Sequence, residues 1–231
     1  MTAFQSVADG VYVRRHRVLD VNSSLILGAE HALLVDTLST PDEARDLARD
    51  VRELTGLPIS VVNTHFHFDH TFGNATIADL LGVTEFWAHS SVIETLTTDA
   101  DEVRAGAHRA CLELAPQIAE TVRTVELLPP NREVGVTRDL DLGGRTVRLW
   151  HPGTAHSPGD LVVLASDVVL AGDLIEEGAP PNTNGADLAN WPRVIEAMLP
   201  HMTGPVIPGH GAVVDADFAR HQALQLAALT N

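Results

Sequence analysis

Six consecutive residues restrict the possible folds of this 231-residue chain more than any other stretch: His65-Phe66-His67-Phe68-Asp69-His70, set directly after the apolar run Ile59–Val62. A short apolar run of this kind reads as a buried strand. The alternation in H-x-H puts His65 and His67 on one side of an extended segment. Asp69 and His70 come after a turn and can serve a second ion. Imidazole and carboxylate are metal-ligand types, and a strand that ends in them delivers them to a sheet edge.

Three further segments each follow a β run and each offer one more ligand. His156 lies in Gly153-Thr154-Ala155-His156-Ser157-Pro158-Gly159-Asp160, after Trp150. Asp173 lies in Ala171-Gly172-Asp173, after Val168–Leu170, and His210 in Pro208-Gly209-His210-Gly211, after Val206–Ile207. Ligands at strand ends along one edge can converge while far apart in sequence, and the flanking glycines permit tight turns. Five imidazoles and two carboxylates suit zinc, or iron or manganese, but not calcium, which takes oxygen ligands. Seven groups exceed one tetrahedral ion and suit two ions sharing a bridging carboxylate. Cys111 is the single cysteine, so a thiolate site and an intrachain disulfide are both excluded.

The rest of the chain reads as α/β. Val11–Arg14, Ser24–Leu27 and Leu33–Val35 form short strands. A helix opens at Pro41, with Thr40 and Glu43 at capping-box spacing. A short helix near Thr76–Leu81 and a strand Glu85–Ala88 follow the histidine loop. Residues 90–123 read as mostly helical, kinked at Pro116. Leu140–Leu142 and Thr146–Trp150 flank the hairpin signal Gly143-Gly144. Leu161–Ala165 and Val168–Ala171 make another pair, followed by a polar loop Glu176–Asp187. A helix near Leu188–Leu199, a strand Pro205–Ile207 and a helix from Ala216 finish the chain. Strands with helices outside them in both halves suggest two sheets face to face under helices. The expected organisation is one domain, 1–231, with similar halves of about 1–125 and 126–231.

Charge and composition remove several partner classes. A formal charge of −16 repels phosphate backbones, which excludes nucleic acid. All 15 basic residues are arginine, so Schiff-base chemistry is unavailable. No apolar run is long enough to span a bilayer, so no membrane partner is expected. Met1–Gly10 lacks the basic and apolar regions of a signal peptide, which makes a cytoplasmic location the expectation.

With these motifs in place, the chain resembles the metallo-β-lactamase superfamily. The resemblance covers Gly10-Val11-Tyr12-Val13, Asn22 to Gly28, Val35-Asp36-Thr37 and all four metal segments in family order. It implies an αββα sandwich of two mixed sheets with helices on both outer faces. It implies that His65, His67 and His156 hold one zinc ion, that Asp69, His70 and His210 hold another, and that Asp173 bridges them. Asp36 matches a family carboxylate behind the metal loops. His151, five residues before His156, could reach the rim. The Glu176–Asp187 loop, with Asn182 and Asn184, is the expected substrate wall. The implied chemistry is hydrolysis by a hydroxide held between two ions, with Asp69 orienting it and carrying a proton.

The same resemblance narrows the substrate. Metallo-β-lactamases with a cysteine ligand place it where Asp173 stands, and many hold the substrate carboxylate with a lysine that this chain lacks. β-Lactamase activity is thereby a minor alternative. Glyoxalase II-like enzymes carry a helical domain after the last ligand, whereas 21 residues follow His210. Lactonases of this fold use a second-half tyrosine, and the single tyrosine here is Tyr12. A small neutral or modestly polar ester, lactone, thioester or amide remains. The rival is a persulfide-dioxygenase-like enzyme in which His65, His156 and Asp173 hold one Fe(II).

Overall fold

A computed structural model describes residues 3–230. Met1, Thr2 and Asn231 belong to the expected span 1–231, and the first two to the Met1–Gly10 reading, but all three lie outside the described residues. Along the central strands, neighbouring side chains bury toward different partners. Ile26, Leu33, Val35 and Val62 meet Val147, Leu149, Val163, Leu170 and Ile207 in a cluster between the two sheets. Their neighbours Leu25, Leu34 and Val61 pack instead on Ala44, Leu47 and Val51 of a helix. Val162, Val169 and Ala171 do the same against Trp191, Val194, Ile195 and Met198. Strands buried on both faces must be continuously apolar, and each then sits between a sheet and a helix layer. The result is the expected αββα sandwich.

The first sheet runs in chain order through β1 (Gln5–Ala8), β2 (Val11–Arg15), β3 (Asn22–Leu27), β4 (Ala32–Val35), β5 (Ile59–Val62), β6 (Phe86–His89) and β7 (Arg132–Val134). It is antiparallel as far as β4 and parallel from β4 to β7. The second has the order β12-β11-β10-β9-β8, from β8 (Thr137–Asp141), β9 (Thr146–Trp150), β10 (Val162–Ala165), β11 (Val168–Glu176) and β12 (Val206–His210). β11 and β12 are parallel and the other pairs antiparallel. The parallel steps need helical crossovers. These are α1 (Pro41–Leu54), α2 (Phe68–Thr71) with α3 (Asn74–Leu81), α4 (Ser90–Thr98) with α5 (Ala100–Leu114) and α6 (Ala119–Thr124), and α7 (Trp191–Met198); α8 (Ala216–Ala228) closes the chain. Thr40 caps α1 by accepting from the Glu43 N–H.

Several sequence-level expectations need correction. Pro116 does not kink a helix; it lies between α5, which ends at Leu114, and α6, which starts at Ala119. The chain breaks there because proline withholds an N–H and restricts the residue before it. β1 and β7 are additional edge strands. β8 is Thr137–Asp141 and starts three residues before the expected Leu140, because an edge strand exposed along most of its length shows little apolar pattern. β11 continues through Asp173 to Glu176, so Asp173 sits inside a strand rather than in a loop after it, and Glu176 belongs to the strand. Similarly, His210 is the last residue of β12.

Candidate metal centre

The residues expected to be ligands meet at the carboxyl ends of the parallel strands, where open α/β sheets place their ligand sites. β5 delivers His65, and the single-turn α2 delivers Asp69 and His70. That loop is pinned from below: Asn63 Nδ2 donates to the His70 carbonyl at 2.9 Å, and Thr71 Oγ1 donates to the His67 carbonyl at 2.9 Å. The loop bearing His156 is braced by Asp160, whose carboxylate accepts from the Ser157 N–H at 2.9 Å and from Ser157 Oγ at 2.6 Å. Burial pushes the Asp160 carboxyl up to about 7 despite those bonds. Trp191 packs edge-on to His156, 5.3 Å between centroids, and is fixed by its own indole N–H donating to the Leu174 carbonyl at 3.0 Å.

Two donor sets result. Ligand atoms of His65, His67, His156 and Asp173 lie within 4.8 Å of one another, and so do those of Asp69, His70 and His210. Asp173 joins the sets. Its Oδ2 is 3.5 Å from Nε2 of both His65 and His156 and 3.3 Å from Nε2 of His210, and its Oδ1 is 3.2 Å from Nε2 of His70. Asp69 Oδ2 lies 3.5 Å from His210 Nε2. The fit to metal ions rests on atoms that are otherwise stranded. Nε2 of His65 is buried and makes no hydrogen bond, and neither does Oδ1 of Asp173 despite the nearby His70 ring. Buried polar atoms without partners are rare unless an ion satisfies them.

The electrostatics divide the sets. Burial holds His65 well below the ordinary imidazole range, and burial takes His156 down to about 4, so both are neutral donors. His70 and His210 go the other way. Burial opposes their protonation, but the Asp173, Asp36 and Asp69 carboxylates outweigh it at His70 and raise it well above the usual range. At His210 the Asp173 and Asp69 carboxylates likewise outweigh burial and raise it to about 10. Metal entering the second set must therefore displace protons.

Behind the ligands stands a ring of acceptors that fixes imidazole tautomers. Asp36 lies here, buried behind the histidine loop. Its Oδ1 accepts from the Thr64 N–H at 2.8 Å, and its Oδ2 accepts from Thr64 Oγ1 and His70 Nδ1, each at 2.8 Å. Thr64 Oγ1 is in turn 3.0 Å from His65 Nδ1. His210 Nδ1 donates to the Leu19 carbonyl at 2.7 Å. Glu176 is the residue the sequence analysis missed. Its side chain is buried, its carboxylate groups with Asp173 and His210, and its Oε1 faces the otherwise unpaired His156 Nδ1 at 3.8 Å. Burial, then the Asp173 charge, push it up to about 8. Asn22 was also missed; its amide donates to the carbonyls of Pro208 and Gly211, each at 2.9 Å, and clamps the turn around His210.

The remaining expected residues sit further out. His151 stacks on His89, 4.1 Å between centroids, and its Nδ1 donates to the Asp160 carbonyl at 2.9 Å, so it braces the His156 loop. The Asn182 N–H donates to Glu176 Oε1 at 2.9 Å, and the Asn184 N–H to Asn182 Oδ1 at 3.1 Å, which tethers that loop to the site through Glu176.

Gly209 is required by close approach. A Cβ there would lie 1.8 Å from Asp173 Oδ1. Gly209→Ala should therefore displace the carboxylate and weaken metal binding at least about tenfold, the scale of a disturbed ligand support. Chelator-competition titration measures it, and unchanged affinity would show that Asp173 has no role in binding.

A family model described as the metallo-beta-lactamase superfamily matches residues 16–222. The chain belongs to the metallo-β-lactamase superfamily. Among superfamily structures, DIM-1 metallo-beta-lactamase aligns with a TM-score of 0.75 at 19% identity, covering 99% of this chain and 97% of that one. The metallo-beta-lactamase from Pontibacter korlensis aligns with a TM-score of 0.72 at 19% identity, covering 98% and 99%. At that identity the likeness is one of fold. An uncharacterised protein of Mycobacterium tuberculosis is 30% identical over 171 residues, covering 67% of this chain and 69% of the relative, and one of Mycobacterium bovis matches equally. Family, fold and the His/Asp cluster together make this chain a metal-dependent hydrolase. No helix among the described residues is long and apolar enough to cross a membrane.

Proposed function

We propose that this chain is a dinuclear zinc hydrolase that cleaves a small, uncharged ester, lactone, thioester or amide. The observation that carries the reading is Asp173, whose two oxygens reach imidazoles of both donor sets. His65, His67 and His156 would hold one ion, Asp69, His70 and His210 the other, and Asp173 both. Two such ions, when bound, supply a nucleophile from water at neutral pH and polarise the scissile carbonyl.

The chain's own groups do the rest. Asp69 is nearly buried on α2, with Oδ2 directed at the second set, where a carboxylate can take a proton and return it to a leaving group. Asp36, Thr64 and the Leu19 carbonyl keep three imidazoles in the tautomer that presents Nε2. The absence of lysine supports an uncharged substrate, because no ammonium group is present to hold a substrate carboxylate.

Metal analysis joined to a substrate panel tests the reading. The purified protein should hold about two zinc ions per chain and hydrolyse neutral esters or lactones in preference to anionic ones. One iron per chain with oxygen-dependent turnover would replace this reading with the dioxygenase.

A further inference from the structure

His210 belongs to the second sheet, but its ring is aimed by a turn of the first. The segment between β2 and β3 brings its carbonyls to the end of β12. Leu19 O accepts from His210 Nδ1 at 2.7 Å, Asp20 O accepts from the Gly211 N–H at 3.0 Å, and Val21 and His210 form an isolated antiparallel bridge. Presenting two successive carbonyls in this way requires an unusual backbone. Leu19 has φ +59° and Asp20 φ +60°, both in the left-handed region. Side chains disfavour that region, leucine more than aspartate. A neighbouring pair offsets the strain. Arg15 Nε donates to Asp20 Oδ1 at 2.5 Å and its Nη2 to Asp20 Oδ2 at 2.6 Å, a planar two-point fork across five residues. The fork is nearly half exposed, with side chains 46% and 42% accessible, so it adds little to global stability. Its consequence is local, because it selects one conformation of a short turn.

We infer that Arg15 and Asp20 are positioning residues for the second metal ion. Their fork holds the Leu19–Asp20 turn, and the turn holds the plane and tautomer of His210. The inference rests on the two-ion reading above. It also explains why the two imidazoles of the second set are supported differently. His70 leans on the buried carboxylate of Asp36, whereas His210 leans on a backbone carbonyl that stays in place only while the strained turn does.

The test is zinc titration of chelator-stripped protein against a chromophoric competitor, with the cobalt(II) absorption spectrum as a second readout. Arg15→Gln and Asp20→Asn should each weaken the second ion about tenfold and leave the first within about twofold, with the cobalt spectrum changing only in the second half of the titration. Adding Leu19→Gly to Arg15→Gln should restore most of the loss, because glycine adopts the turn without penalty. Arg45→Gln, which removes an exposed pair with Asp42 on α1, should change neither ion. Second-ion affinity within about twofold of the parent in both Arg15→Gln and Asp20→Asn, equal weakening of both ions, or no recovery in the double variant would overturn the inference. A parent that binds one ion at every zinc concentration gives a different pattern and overturns the two-ion reading itself.

Discussion

Asp69→Asn is expected to leave the fold intact and to lower kcat about a hundredfold or more, the scale of a lost general acid–base group. Asparagine keeps the shape of the side chain but carries no charge and cannot take up a proton. The fold should survive because Asp69 sits on a four-residue helix beyond the end of β5 and lies in none of the apolar clusters. The second ion should weaken, since Asp69 Oδ2 lies 3.5 Å from His210 Nε2 and would lose its charge. The assay must therefore be run at saturating zinc, with bound metal measured on the same sample. The dioxygenase alternative predicts near-normal turnover, because Asp69 is outside the His65, His156 and Asp173 set. A kcat within a few-fold of the parent at full metal occupancy would count against the hydrolytic mechanism.

Asp173→Ala should have the broader effect, because it removes the one group common to both sets. Loss of both ions is expected, with affinities down at least about a hundredfold, the upper range for disturbed metal sites. The stripped protein should also be destabilised, by about 3–5 kcal/mol, since cutting a buried ion pair strands the partner charge. The pH dependence of that difference follows from the two partners. Burial favours the neutral acid at Asp173, but His210, His70 and His65 outweigh it and hold the carboxyl well below its usual value. Its contribution is therefore present above the ordinary carboxylate range and is lost as pH falls through the depressed value. His210 is raised to about 10, so its contribution is complete below the ordinary imidazole value and is lost as pH rises through about 10. Thermal melts of stripped parent and stripped Asp173→Ala should thus differ most between the ordinary carboxylate and imidazole ranges and converge above pH 10. Parallel melting curves across the alkaline range would show that the pair contributes nothing to the fold.

The residues that converge at the candidate site could be singled out because much of the donor chemistry is local in sequence. His65, His67, Asp69 and His70 fall within six residues, Asp173 and His210 each directly follow glycine, and His156 lies between Gly153 and Gly159. The sandwich was legible because strands buried on both faces must be continuously apolar. Edge strands were not, because β1 and β7 expose much of their surface and carry little pattern. Glu176 was read as the start of a polar loop because a lone acid after Leu174-Ile175 gives no sign of burial. The irregular register between β11 and β12 pairs Glu176 with His210, and its Oε1 faces His156 Nδ1 at 3.8 Å. The turn at Leu19 and Asp20 was equally silent, since neither residue type announces a left-handed backbone. The His16 ring lies against Glu43 at 3.5 Å, a contact made between elements rather than along the chain and so not visible in the sequence.

The division of ligands between the sheets bears on how the protein matures. His65, His67, Asp69 and His70 emerge first in synthesis, whereas His156 precedes β10, Asp173 lies in β11 and His210 ends β12, all in the second half of the chain. On the proposed two-ion reading, metal held by those four alone would lack Asp173 as its shared carboxylate, so tight capture would wait for the last strand to dock. Ions that bind only the docked state add to its stability by mass action, about 2.7 kcal/mol for each at a hundredfold excess over its dissociation constant. On that reading, metal supply during synthesis would govern the yield of folded protein as well as its turnover.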